Sequence, residues 1–147
     1  MISVARSDFA FFHSLRVRWS EVDLQAIVFN GHYFTYFDVG FTEYWRVTEL
    51  PSALQQTQEG KEFFARKASI EYFASARFDD VIDIGVRCAK LGNSSMQFIY
   101  EIYIGEQHLV SGEISYVYVD TGVRKGVAIP TAWRETIKSL EKVQPSE

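Results

Sequence analysis

The hydrophobic positions of this chain keep two different periods, and the switch between them divides it. Over "HSLRVRW", His13 to Trp19, apolar and polar residues alternate, with Leu15, Val17 and Trp19 on one side, which predicts a first strand. From about Gly31 to Leu50 the period lengthens. Tyr33, Tyr36, Phe37, Gly40, Phe41 and Tyr44 fall at i, i+3, i+4, i+7, i+8 and i+11, one continuous helical stripe, and Thr35, Asp38, Thr42, Glu43 and Arg46 lie largely off it. A glycine inside an exposed helix costs about 1 kcal/mol against alanine, so Gly40 predicts a close approach of the helix to whatever it packs on. Pro51 is the stop signal.

After the polar "SALQQTQEG" the period becomes two. "EFFARKASIEYF", "DVIDIGVRCAKL", "SSMQFIYEIYIG" and "HLVSGEISYVYVD" read as four strands, separated by the turn signals "ASARFDD", "GNSS" and "GEQ". Ile82, Ile84, Val86 and Cys88 share one face of the second of these; Met96, Phe98, Tyr100, Ile102 and Ile104 share one face of the third. A polar turn "TGVRKG" follows, and a short C-terminal helix is predicted from Thr131 to about residue 143. Strand, long helix, then four strands on short turns is an α+β pattern, a curved antiparallel five-stranded sheet wrapped around one long central helix. Such a sheet has open edges, and pairing with a second copy, as a homodimer or a dimer of dimers, is the expected cover.

Composition narrows the classes. At 147 residues the chain is expected to form a single domain, with a net charge of −4 that gives no footprint for nucleic acid. An aromatic share of 16% points to a broad apolar pocket or a large subunit interface. Cys88 is the one cysteine, which excludes an intrachain disulfide and fits a reducing compartment. The apolar run in "MISVARSDFAFFHS" is too short for a secretory signal, and no run approaches the length of a membrane span. A cytoplasmic protein with no membrane contact is expected.

Candidate chemistry concentrates in one stretch. His13, His32 and His108 are scattered without metal-ligand spacing, and no nucleophile elbow or phosphate-cradling glycine loop occurs. Cys88 sits on an apolar strand face, the pattern of an inert core thiol. What remains is "RWSEVDLQAIVFNGHYFTYF", Arg18 to Phe37, where Glu21 and Asp23 precede an apolar run and the predicted helix start at Asn30-Gly31. A helix N-terminus offers unpaired N–H groups and partial positive charge. Beside it a carboxylate makes a two-part site: N–H groups to hold a developing oxyanion, and an acid to attack or to activate water. The alternative reading is plain structure, with both acids in a solvated loop and Asn30 as the helix N-cap.

The stretch "EVDLQAIVFNGHYFTYFDVGFTEYWR" resembles the signature of hotdog-fold acyl-CoA thioesterases of the 4-hydroxybenzoyl-CoA thioesterase type. The resemblance continues through "ARKASIEYFASARFDDVIDIGVRCAKLGNSSMQFIYEI" and covers roughly residues 14–135. It implies a hotdog fold and hydrolysis of an acyl-CoA thioester, with no cofactor beyond the CoA of the substrate. Position by position, Asp23 matches the catalytic aspartate and the backbone N–H near Asn30 matches the carbonyl polariser, while Glu21 matches a structural acid. Ala26 stands where the family usually has glycine, a change that matters only if φ is positive there. The family's sites lie at a dimer interface, so the segment Phe63 to Lys67 is expected to line the partner's pocket. The expected substrate contacts are Tyr33, Phe64 and Lys67, with Lys90, Asn93 and Ser94 as candidates for the CoA side. Val22 and Leu24, flanking Asp23, leave little room for an ordered water and favour direct attack. The other reading of the same fold is a non-catalytic module that binds an acyl-CoA or a protein partner.

Overall fold

The computed structural model describes residues 5–147. Five long strands form the sheet: β1 (Phe11–Arg16), β2 (Lys61–Tyr72), β3 (Val81–Leu91), β4 (Ser95–Ile104) and β5 (Gln107–Asp120). Their spatial order is β1-β3-β4-β5-β2 and every pairing is antiparallel. β3, β4 and β5 form a meander on short turns, while β2 returns to the far side of β5 and is left as an edge. A two-residue strand β6 (Lys125–Gly126), read from the sequence only as a polar turn, extends β5 at Val119 and Asp120.

The long helix α1 (His32–Thr48) lies along the concave face. Its stripe does what the spacing predicts: Tyr33, Tyr36, Phe37, Gly40 and Tyr44 are buried, with Trp45 beside them. They pack on Ile82, Ile84, Val86 and Cys88 of β3 and Met96, Phe98, Tyr100 and Ile102 of β4, all buried in the same core. Gly40 is the point of closest approach. A Cβ there would stand 2.8 Å from Val86 Cγ2 and 2.9 Å from Ile84 Cγ2. The Phe37 ring stacks on Tyr100 at 4.7 Å and lies directly against Gly112. Such ring pairs are worth about 0.5–1.5 kcal/mol each beyond the area they bury.

The convex face is covered too, over β3 and β4, which the alternating pattern did not foretell. Phe9 and Phe12 fold over Ala89 and Ile99, and Gly85 leaves the room they need. Arg6 lies over the Phe12 and Tyr103 rings and pairs with Asp83 at 3.3 Å. Beneath this cover Glu101 is buried 2.5 Å from His108 Nε2 and accepts from the Tyr103 hydroxyl. Burial is the largest effect on its pKa and raises it, against the opposing pull of His108.

Helix α3 (Thr131–Leu140) docks Trp133 against Trp45 and Tyr118. It ends three residues before the predicted stop because Glu141 turns extended and inward. There its Oε2 accepts from the Tyr44 hydroxyl at 2.7 Å and from the Cys88 N–H at 2.8 Å. A second helix, α2 (Ala53–Gln58), stands where the sequence reads as polar loop. Ser52 and Gln55 form its capping box, each side chain bonding the other's backbone N–H. β1 begins two residues before the predicted strand and stops at Arg16. Val17 is buried beyond its end, whereas Trp19, expected on the same side, is 72% exposed in a short 3-10 turn.

Candidate active site

The loop from β1 to α1 is built around Glu21. Its carboxylate accepts from the Arg18 backbone N–H and Nε, both at 2.8 Å, and from the Tyr36 hydroxyl at 2.9 Å. Burial works to raise its pKa, but the hydrogen bonds from Arg18 and Tyr36 together outweigh it and hold the carboxylate below the ordinary range. Glu21 ties the loop to the central helix and has no oxygen to spare.

Asp23 is placed differently. Val22 bridges to Val28, the Asp23 N–H donates to Ile27 O at 2.9 Å, and Ala26 N–H closes a tight turn on Asp23 O at 2.9 Å. The side chain accepts only from Gln25 N–H, at 2.8 Å on Oδ1, so Oδ2 has no protein partner among the described residues. Ala26 holds φ +62°, the left-handed conformation in which the missing glycine does matter. Leu24 is fully exposed, so the crowding expected to keep water from Asp23 is absent in the chain itself.

Five residues after this turn the loop becomes α1. The first turn is tight, with His32 N–H on Phe29 O at 2.9 Å and Tyr33 N–H on Asn30 O at 3.4 Å. The N-cap is Gly31, in helical conformation, and no side chain caps the helix; Asn30 does not take the capping role open to it. The N–H groups of Asn30 and Gly31 have no protein acceptor among the described residues. Tyr33, expected to touch substrate, is buried, and its hydroxyl accepts the Ala76 N–H at 3.0 Å. His32 is half-buried against Phe29. Cys88 is fully buried, and burial pushes its thiol pKa far up.

The remaining expected site residues lie at the other end of the sheet. A cavity of about 430 Å³ opens between α1, α2 and β2, lined by Phe41, Trp45, Phe63, Phe64 and Tyr116, with Asp38 and Arg46 at its border. Beside it a groove of about 400 Å³ gathers Arg66, Lys67 and Lys90 around Gln97 and Ser115. Thus Lys67 and Lys90, far apart in sequence, share one basic groove. Asn93 and Ser94 lie outside it, in the β3–β4 turn, where their carbonyls take Ile129 N–H and Tyr118 N–H. On β2, Tyr72 touches Asn30 while Phe64 lines the cavity. Eight residue steps separate them, about 26 Å at the strand rise of ~3.3 Å. The acid loop and the cavity therefore lie apart, although the α1 lining of the cavity begins at Asp38, about 12 Å of helix from Asn30 at ~1.5 Å per residue. Arg66 falls within the segment Phe63 to Lys67 expected at the partner's pocket, whereas Tyr72 belongs to an alternating strand with no local mark of function.

This geometry has counterparts. A sequence profile of the thioesterase superfamily matches residues 25–111. The chain belongs to the thioesterase superfamily and is an enzyme of the thioester-hydrolase class. The acyl-CoA thioester hydrolase YbgC of Escherichia coli O6:H1 is 28% identical over 117 residues, 79% of this chain and 87% of that protein. Among solved structures, the PA5185 protein of Pseudomonas aeruginosa aligns over 97% of both chains at 26% identity and a TM-score of 0.81. Slr0204, a 1,4-dihydroxy-2-naphthoyl-CoA thioesterase from Synechocystis, reaches the same TM-score at 20% identity over 86% of this chain and 94% of that one. That likeness speaks for the fold, the hotdog arrangement of curled sheet and central helix. No helix among the described residues is long and apolar enough to cross a membrane.

Proposed function

We propose that the protein hydrolyses an acyl-CoA thioester to the free acid and CoA, and that its working unit is a pair of chains. The observation that carries this reading is the free Asp23 oxygen in the same loop as the unpaired N–H groups of Asn30 and Gly31. Those N–H groups polarise the thioester carbonyl and hold the oxyanion that forms when it is attacked. Asp23 supplies the attack, directly or by taking a proton from water. In either case the C–S bond breaks and the CoA thiolate leaves. The exposure of Leu24 favours the water route, because that side chain does not crowd the space beside Asp23.

A two-fold pair of chains brings the cavity of one to the acid of the other. β2 is an edge of the sheet among the described residues, and antiparallel pairing of that edge with a second copy about a two-fold joins the two sheets. The aromatic cavity of one chain then faces the Asp23 loop of the other and takes the acyl group. The groove of Arg66, Lys67 and Lys90, adjoining that cavity, takes the CoA phosphates.

The test is thiol release from a panel of acyl-CoAs. Asp23→Asn is expected to lower kcat at least ~10²-fold, about 2.7 kcal/mol of barrier, with KM little changed, and Glu21→Gln to act mainly on stability. Mixing Asp23→Asn chains with Phe64→Glu chains one to one should restore roughly a quarter of wild-type activity, from the mixed dimers that hold one intact site. A nearly silent Asp23→Asn sinks the catalytic assignment; an inert mixture of the two variants sinks the shared site.

A further inference from the structure

Two N–H groups at the start of α1 are free, but a free donor polarises a carbonyl well only if its direction is fixed. The bond from His32 N–H to Phe29 O at 2.9 Å closes the turn around them, but the helix does little to hold the Asn30 carbonyl itself. The Asn30 carbonyl receives only the long 3.4 Å bond from Tyr33 N–H, and Phe34 N–H reaches Gly31 O at 3.3 Å. A second bond to Asn30 comes from outside the helix: the Tyr72 hydroxyl, at the end of β2, donates to Asn30 O at 3.0 Å.

We propose that Tyr72 is a positioning residue for carbonyl polarisation, holding the Asn30–Gly31 peptide so that the Gly31 N–H acts as a second donor beside that of Asn30. This rests on the thioesterase reading of the site. A peptide unit is planar and trans, so its C=O and N–H point in opposed, rigidly linked directions, and anchoring the Asn30 oxygen aims the Gly31 N–H. A hydrogen bond accepted at that oxygen also polarises the peptide and makes its N–H the stronger donor.

Tyr72 is itself held in place. Its ring packs edge-on against Tyr33 at 5.6 Å. The Tyr33 hydroxyl accepts the Ala76 N–H at 3.0 Å, and Ala76 O accepts the Val28 N–H at 2.9 Å. The end of β2 and the segment after it therefore clamp the loop that carries both donors. Tyr72 is 46% exposed, so removing its hydroxyl leaves the core packing intact.

The experiment is Tyr72→Phe, assayed with benzoyl-CoA and octanoyl-CoA. Deleting an oxyanion donor outright costs about 10²–10³-fold in kcat; loosening one is expected to cost about 10-fold, with KM nearly unchanged. The second readout is the carbonyl stretch of ¹³C-labelled benzoyl-CoA bound to the Asp23→Asn protein, with and without Tyr72→Phe. The added substitution should move the stretch back toward its value in water. A wild-type kcat, or a lowered kcat with the stretch unmoved, overturns the inference. A wild-type protein inert toward both thioesters overturns the thioesterase reading and this inference with it, whereas an active wild-type protein leaves the outcome to Tyr72 alone.

Discussion

Ala26 is the residue at which replacing an alanine by glycine should stabilise the fold. It is exposed, so no packing is lost, and it holds φ +62° at the close of the Asp23 turn. The left-handed conformation costs an L-residue about 1–2 kcal/mol, which glycine escapes. Against this, glycine makes the unfolded chain more disordered, a loss of about 0.4–1 kcal/mol. The balance favours Ala26→Gly by about 0.5–1 kcal/mol. For 147 residues the unfolding entropy is about 310 cal/mol/K, so Tm should rise by about 2–3 °C. The comparison that isolates the cause is Ala132→Gly, also exposed but at the second position of α3. There glycine relieves nothing and should lose about 0.5–1 kcal/mol, lowering Tm by a similar amount. Scanning calorimetry of both variants at one fixed protomer concentration reads the pair. If Ala26→Gly lowers Tm as Ala132→Gly does, the turn that presents Asp23 does not hold the left-handed conformation.

Two further outcomes are expected. Glu21 ionises more readily folded than unfolded, so its stabilising contribution is complete above the ordinary glutamate pKa and is lost as the pH falls through its lowered folded value; Tm followed from pH 7 into that acid range should drop, and Glu21→Gln should flatten the drop while lowering Tm at pH 7. Single-turnover hydrolysis in ¹⁸O-water should put the label in the first product acid, because Leu24 does not crowd Asp23 and Oδ2 has no protein partner among the described residues; unlabelled first product with ¹⁸O in Asp23 would establish direct attack instead.

The central helix and long strands are legible in the sequence because their patterns are long and self-consistent. Six stripe positions over three turns of α1 leave one face to bury, and each strand repeats its alternation several times. α2 escapes that logic. Its apolar residues, Ala53 and Leu54, make no stripe, and only the Ser52–Gln55 capping box betrays it. Arg87 and Glu101 alternate outward like solvated residues, yet both are buried, Glu101 under cover that reaches it from Phe12 and Arg6, far away in sequence. The site divides in the same way. Asp23, Ala26 and Asn30 fall within one short window, where spacing can speak. Tyr72 reaches Asn30 from forty-two residues away, through a contact that exists only once β2 has paired with β5.

The burial of Cys88 has a practical side. It is the chain's one cysteine, it is fully buried in the core on the face of β3 that packs under α1, and its thiol resists ionisation. Thiolate is the species that reacts with chromogenic disulfides. In the folded protein such a reagent therefore meets released CoA and no protein sulfur, so colour in a hydrolysis assay counts turnovers without a background from the enzyme. Once the sheet opens the same reagent gains exactly one site per chain, and colour developed without substrate becomes a stoichiometric reporter of unfolding.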